Sequence, residues 1–253
     1  AVVALVATGS VAAIAGWRLA SDVNTVAIAA DTQGPPPNIA AMKGGFNLLL
    51  VGTDTRVGQG DLGGGVKEAG AGSLNDVNIL IHVAEDQKSA VAVSIPRDMV
   101  VHIPKCDKGG PAIALPINDA LGFGGLSCVA STVQGLTGLN IDFAGLITFN
   151  GVIAMSDAVG GVDVCTNGPI RDRDSGLDIE SAGTHTLQGA QALAFLRTRH
   201  GVGDGSDLGR INSQQVYLSS LVRKIKSNDT LTDLGKLYGI AKAATQNVTL
   251  SQN

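Results

Sequence analysis

FNLLLVGTD, residues 46–54, decides the fold class. A short apolar run closed by a Gly-Thr-Asp turn, with no helical period, reads as a buried central strand with Asp54 at its carboxyl end. Carboxyl ends of strands are where α/β sheets place ligands. Downstream, residues 77–84 (VNILIHVA) and 89–96 (SAVAVSIP), separated by EDQK, read as a hairpin of two buried strands, and Pro96-Arg97-Asp98 ends the second. A short helix is expected around 127–136 and a strand over 141–149. A helix over 150–161 ended by glycine and a strand over 162–165 follow. Residues 187–196, led by Thr186 as a cap, read as a helix that delivers Arg197 and Arg199 at its far end. The strongest helix runs over 207–227, with Ile211, Leu218, Leu221, Val222 and Ile225 on one side. A final amphipathic helix over 231–247 carries Leu231, Leu234, Tyr238 and Ala241. The pattern is mixed α/β.

The chain has 253 residues, 44% hydrophobic and 16% charged, which suits one main globular domain and excludes intrinsic disorder. A formal charge of −4 argues against a general nucleic-acid binder, because duplex binding needs a broad basic surface. Any anion site must be local. Residues 1–17 are uncharged and mostly apolar and end at Arg18, which reads as a truncated membrane anchor over 1–18. A cleaved signal peptide and a buried helix are the alternatives. A polar, proline-rich linker over 19–45 then leads to the main domain, 46–227, with a C-terminal helix and tail over 228–253.

Two arginines two apart, Arg197 and Arg199, share a side if the backbone is extended. Arg210 and Gln214, four apart, share a helix face. Guanidinium matches phosphate oxygens bidentately, so such a set predicts a phosphate or pyrophosphate site, against the alternative of surface ion pairs. Asp54 and Asp76 flank a glycine-rich loop that would fold them toward one point. Two carboxylates beside a phosphate suit Mg²⁺ or Mn²⁺, although each also reads as a turn former. Arg97-Asp98 reads either as a phosphate ligand with a carboxylate that orients it or accepts a proton, or as a local ion pair. The G-x-G-x-x-G match at 58–63 precedes more glycine rather than a helix and is set aside. His82, His102, His185 and His200 form no recognisable triad, and Ser94 and Ser127 sit in no nucleophile elbow. Cys106, Cys128 and Cys165 lack zinc spacing. If the domain lies outside the cytoplasm, a Cys106–Cys128 bridge closing a Gly/Pro-rich loop is one outcome, with Cys165 small and buried.

In order, NLLLVGTDTR, the Asn-Asp of SLNDVNIL, SIPRDMVVHIP, INDALGFGG, AVGGVDV, LQGAQALAFLRTRH and DLGRINSQQ resemble the LytR-CpsA-Psr (LCP) family of cell-wall glycopolymer transferases, over about 46–227. The resemblance implies a single domain with a central mixed β-sheet flanked by helices, anchored in the cell membrane by a single pass, with the catalytic domain extracytoplasmic. It implies that Asp54 and Asp76 hold Mg²⁺. Arg97, Arg197, Arg199, Arg210 and Gln214 would bind the pyrophosphate of a polyprenyl-pyrophosphate-linked glycan, with Arg56 and Asp98 as neighbours. The acceptor would be peptidoglycan, the linkage a phosphodiester, and the composition looks actinobacterial, which suggests arabinogalactan or a similar polymer. Leu74, Pro116 and Ser213 stand where the family's pattern carries arginine, lysine and arginine. Two other readings remain: a prenyl-pyrophosphate pyrophosphatase, with water as acceptor, and a non-catalytic lipid-binding or regulatory wall protein.

Overall fold

The strand expected at 46–54 runs Phe46–Thr53, at the centre of a six-stranded mixed sheet. The computed structural model describes residues 21, 23–28, 44–53, 73–106, 112–199, 202 and 207–251. The anchor expected over 1–18, Asp54, Arg56 and His200 lie outside the described residues. In chain order the strands are β1 (Asn24–Val26), β2 (Phe46–Thr53), β3 (Asn75–Val83), β4 (Ala90–Ile95), β5 (Val100–Ile103), β6 (Ile113–Pro116), β7 (Phe143–Ile147), β8 (Val162–Thr166), β9 (Ile170–Asp172), β10 (Leu177–Ile179), β11 (Gly183–Leu187) and β12 (Val248–Ser251). The helices are α1 (Ala120–Thr137), α2 (Phe149–Ala158), α3 (Ala190–Arg197), α4 (Asp207–Ile225), α5 (Asn228–Leu231) and α6 (Leu234–Asn247).

The main sheet has the order β1-β12-β7-β2-β3-β4, with β7 parallel to β2 and β3 antiparallel to it. The two faces of β2 have different fates. Leu49 and Val51 are fully buried against α1, in a core with Leu80, Val129, Val133 and Ile141. Leu50 and Gly52 point the other way and are only half-buried, because that face borders a cavity rather than a packed layer. Gly145, on β7 beside Leu50, helps to open it: a Cβ there would lie 3.6 Å from Leu50, Val248 and Leu250. Helices α2, α3 and α4 roof this second face. Helix α6 packs on α2 closely enough that a Cβ on Gly151 would come within 2.7 Å of Ile147 and 3.0 Å of the Asn247 carbonyl.

Several expectations need correction. The expected C-terminal helix forms, but residues 248–251 after it are a strand rather than a tail: β12 pairs with β7, and the Ala144 amide donates to the buried Ser251 hydroxyl at 3.0 Å. Within the expected linker, β1 pairs in parallel with β12 at the sheet edge. Three or four residues give little periodicity to read, so both strands escape a sequence pattern. The hairpin over 77–96 forms, but β4 is an exposed edge strand, with Val91 and Val93 62% and 52% accessible. The helix expected at 127–136 is longer, Ala120–Thr137, and broken at Gly124 and Gly125, where φ is +69° at Gly125. Thr186 caps nothing. It lies in β11 and its hydroxyl donates to Asp163, while α3 starts after Gly189. On α4, Val222 faces solvent at 54% exposure. Cys165 is exposed, since alternation along β8 turns Val162, Val164 and Thr166 inward.

Cys106 and Cys128 form a disulfide with Cα atoms 5.6 Å apart, tying the chain after β5 to α1. It closes a loop of 22 residues, so the chain-entropy model gives about 3 kcal/mol of stability. Replacing both cysteines with serine is expected to lower the urea unfolding free energy by about that amount. An unchanged midpoint would contradict it.

Candidate active site

Four strand ends converge at one edge of the sheet, because β2 and β7 run in parallel and β3 runs back between β2 and β4. At this edge Gly52 pairs with Val77 and Thr53 with Asn75, so Asp76 is the extra residue of a β-bulge. Bulges re-aim side chains. Asn75 and Asn78 turn inward together, fully buried, and the Asn75 Nδ2 donates to Asn78 Oδ1 at 2.7 Å and to the Ile117 carbonyl at 3.1 Å. The Leu121 amide donates to Asn75 Oδ1 at 3.1 Å, which docks the start of α1 beneath the bulge. Asp76 is left pointing at the chain after β4, where its Oδ1 accepts from Arg97 Nη1 at 2.5 Å. Asp98 lies on the other side of Arg97, with Oδ2 3.5 Å from Nε, and is 62% exposed. The ion-pair reading of Arg97-Asp98 holds, with Asp76 as the closer partner: Arg97 is a cavity-lining cation, fixed by a partly buried carboxylate and flanked by an open one.

The second set of cations comes from the helical roof. Arg197 is the last residue of α3, where the helix dipole favours a cation, and its guanidinium lies over the Phe149 ring, 5.1 Å from the centroid. Thr198 is extended and buried, so Arg199 turns toward the same cavity. The residue that sets this turn is Asp172, at the end of β9 and 3% exposed. Its Oδ2 accepts from the Thr198 hydroxyl at 2.8 Å and the Arg199 amide at 2.9 Å. Its Oδ1 accepts from the Asp174 and Ser175 amides at 2.9 and 3.3 Å. One carboxylate thus pins the β9–β10 turn to the backbone that carries Arg199.

Helix α4 adds a stripe that changes character along its length. Arg210, Gln214, Tyr217, Leu218, Leu221 and Ile225 all line the cavity, at helical spacing, polar at the first turns and apolar beyond. Arg210 and Gln214 are 5% and 6% exposed, and Gln214 Nε2 donates to the Leu196 carbonyl at 3.3 Å, closing the end of α3. Tyr217 is buried against Phe195. Burial raises its phenol far above the usual range, the Ser156 hydroxyl lowers it less and the Asp157 carboxylate adds to the rise, so it stays a neutral donor.

The resulting cavity has a volume of about 560 Å³. Asp76, Arg97, Arg197, Arg199, Arg210 and Gln214 stand on its wall together, bringing the expected residues from β3, the loop after β4, α3 and α4 into one site. The remaining lining is largely apolar, from Leu50, Ile79, Val152, Met155, Leu193 and the lower half of α4. Among the described residues no cluster of three metal-binding side chains occurs. Of the two carboxylates expected to hold Mg²⁺, Asp76 stands on the cavity wall, paired with Arg97.

The model of the LytR_cpsA_psr family matches residues 17–252. The chain belongs to the LytR-CpsA-Psr family. It is 33% identical over 248 residues to the cell wall biosynthesis protein LcpA of Corynebacterium glutamicum, covering 84% of this chain and 46% of that protein. It is 31% identical over 192 residues to the polyisoprenyl-teichoic acid–peptidoglycan teichoic acid transferase TagT of Bacillus subtilis, covering 73% of this chain and 54% of that one. The crystal structure of B. subtilis TagV matches with a TM-score of 0.65 at 26% identity, over 83% of this chain and 74% of that chain. The chain spans about half the length of these curated relatives.

Of the three departures from the LytR-CpsA-Psr pattern, Ser213 is now placed. It is buried on a different side of α4, donates to the Gly209 carbonyl at 3.2 Å and borders a separate cavity with Thr166 and Asn212. Leu74 precedes the bulge and Pro116 ends β6, and neither lines the arginine cavity. Asp172 was missed because a D-x-D-S-G turn reads as an ordinary hairpin loop. The signal available was that its first aspartate ends an alternating Ile-Arg-Asp strand on the inward side. Replacing Asp172 with Asn removes the charge that four donors share. It is expected to cost about 2–4 kcal/mol in urea unfolding. Wild-type stability would contradict this role for Asp172.

Proposed function

We propose that this chain is a phosphotransferase that moves a glycopolymer, arabinogalactan or a similar wall polysaccharide, from a polyprenyl-pyrophosphate carrier onto peptidoglycan. The observation that carries the reading is a single cavity with guanidinium groups on one part of its wall and aliphatic side chains on the rest. A ligand that matches both must join a multiply charged anion to a long apolar chain, which is the make-up of a prenyl pyrophosphate. The name of TagT, a polyisoprenyl-teichoic acid–peptidoglycan transferase, supports the same class of donor and acceptor.

In this reading Arg97, Arg197, Arg199 and Arg210 grip the pyrophosphate while the prenyl chain lies along Leu218, Leu221 and Ile225. An acceptor hydroxyl on peptidoglycan forms a new O–P bond at the phosphorus that carries the glycan. The bond from that phosphorus to the bridging oxygen breaks, and polyprenyl phosphate leaves with the electron pair. Asp98, open to solvent beside Arg97, takes the hydroxyl proton. The arginines stabilise charge that grows on the phosphate oxygens, and their preorganisation is the main catalytic contribution. Asp76, with Asp54 as the second carboxylate, would hold Mg²⁺, which neutralises part of the phosphate charge. The site works on the extracytoplasmic side of the membrane.

Transfer of a lipid-linked glycan to peptidoglycan by Arg97→Ala and Arg199→Ala is expected to fall about a hundredfold or more. The assay is run with and without peptidoglycan: release of phospho-sugar in its absence at the full rate would make the enzyme a pyrophosphatase. Transfer by both variants within twofold of wild type would sink the reading.

A further inference from the structure

The final helix contradicts its own sequence pattern. Leu234 and Tyr238 are four apart on α6 and belong to the apolar stripe that should seek a core, yet they are 81% and 42% exposed. Leu231, on α5, is 52% exposed, and Val222, near the end of α4, is 54% exposed. The helix instead buries Ala243 and sets Gly239 against Ala158 of α2. A stripe of large apolar side chains turned to water is the mark of a surface that something covers.

Charge identifies what covers it. The 21 residues from Val222 to Lys242 hold Arg223, Lys224, Lys226, Lys236 and Lys242 against Asp229 and Asp233, an excess of three positive charges on a chain of formal charge −4. Asp233 is engaged as the cap of α6, its Oδ1 accepting from the Gly235 and Lys236 amides at 2.9 and 3.1 Å. Lys242 is exposed and follows Leu234 and Tyr238 at the same spacing, and Lys226 is exposed one turn after Val222. Leucine, tyrosine and lysine in one helical stripe, in a segment that carries further cations, is the composition of a helix face that lies in a membrane interface. This corner also adjoins the cavity: Leu221 and Ile225 line it, and Val222 and Lys226, the next residues, face out.

We propose that the corner formed by the end of α4, α5 and the solvent face of α6 docks on an anionic lipid bilayer, with Leu231, Leu234 and Tyr238 entering the headgroup region and the lysines meeting lipid phosphates. This contact is separate from any N-terminal anchor. It stands on the composition of the surface. Its use, to bring the apolar end of the cavity to the membrane so that a prenyl chain passes between them, rests on the proposed donor.

The test is flotation of the full chain with vesicles of phosphatidylglycerol and of phosphatidylcholine, reading the ratio of the two affinities, because an apolar N-terminal segment would insert into both alike. Wild type should favour phosphatidylglycerol at least tenfold, less at high salt. Lys226→Glu/Lys242→Glu should bring the ratio close to one, and Leu234→Glu/Tyr238→Glu should weaken binding to phosphatidylglycerol about tenfold. Val91→Glu/Val93→Glu, an equal change at the sheet edge, should leave both intact. Circular dichroism and calorimetric binding of inorganic pyrophosphate report folding and the arginine site independently, so a failure of the donor reading leaves this result standing. A wild-type ratio near one, equal losses in all three variants, or corner variants that change oligomeric state while binding vesicles normally would overturn the proposal.

Discussion

Gathering several guanidinium groups at one rim is the constraint on which the rest of this structure depends. Like charges repel, and in a partly enclosed site they are screened poorly, so the fold must hold them in place by other means. It does so through carboxylates and backbone. Asp76, re-aimed by a bulge, pairs with Arg97, and Asp172 holds the backbone of Arg199 rather than leaving that residue to find its own place. Gln214 ties α4 to the end of α3, and Phe149 lies beneath Arg197. Arg97, Arg197 and Arg199 are thus each set by an element other than their own, which makes the site a property of the whole sheet-and-helix assembly.

The same constraint explains the unusual treatment of the sheet. One face of β2 is packed to full burial, whereas the other is left half-covered, with a glycine at 145 where a larger residue would fill the space. An apolar wall bordering a cavity forgoes packing contacts that a solid core would supply, and the fold accepts this on one face because the opposite face, with α1 and the Cys106–Cys128 bridge, is dense. The two faces divide stability from binding.

How much of this was legible in the sequence follows from the range of the signals. The central strand, the 77–96 hairpin and α4 announced themselves by apolar runs and helical spacing, and the arginines by residue type. The motif order gave the family and with it the meeting of Asp76, Arg97, Arg197, Arg199, Arg210 and Gln214. What stayed hidden was short or non-local. β1 and β12 have three and four residues and exist because each finds a partner far along the chain. Asp172 looks like any turn aspartate until its four donors are seen. Val222, Leu234 and Tyr238 obey a helical pattern that promises burial, and the fold turns them outward, which no window on the sequence could report.

The central claim is that one cavity holds the two halves of an amphiphilic donor in a fixed direction. A crystal structure with a bound prenyl pyrophosphate tests it most directly. The account predicts both phosphates between Arg97, Arg197, Arg199 and Arg210, with the isoprenoid running along Leu218, Leu221 and Ile225. Phosphates bound elsewhere, or a prenyl chain outside this cavity, would contradict it.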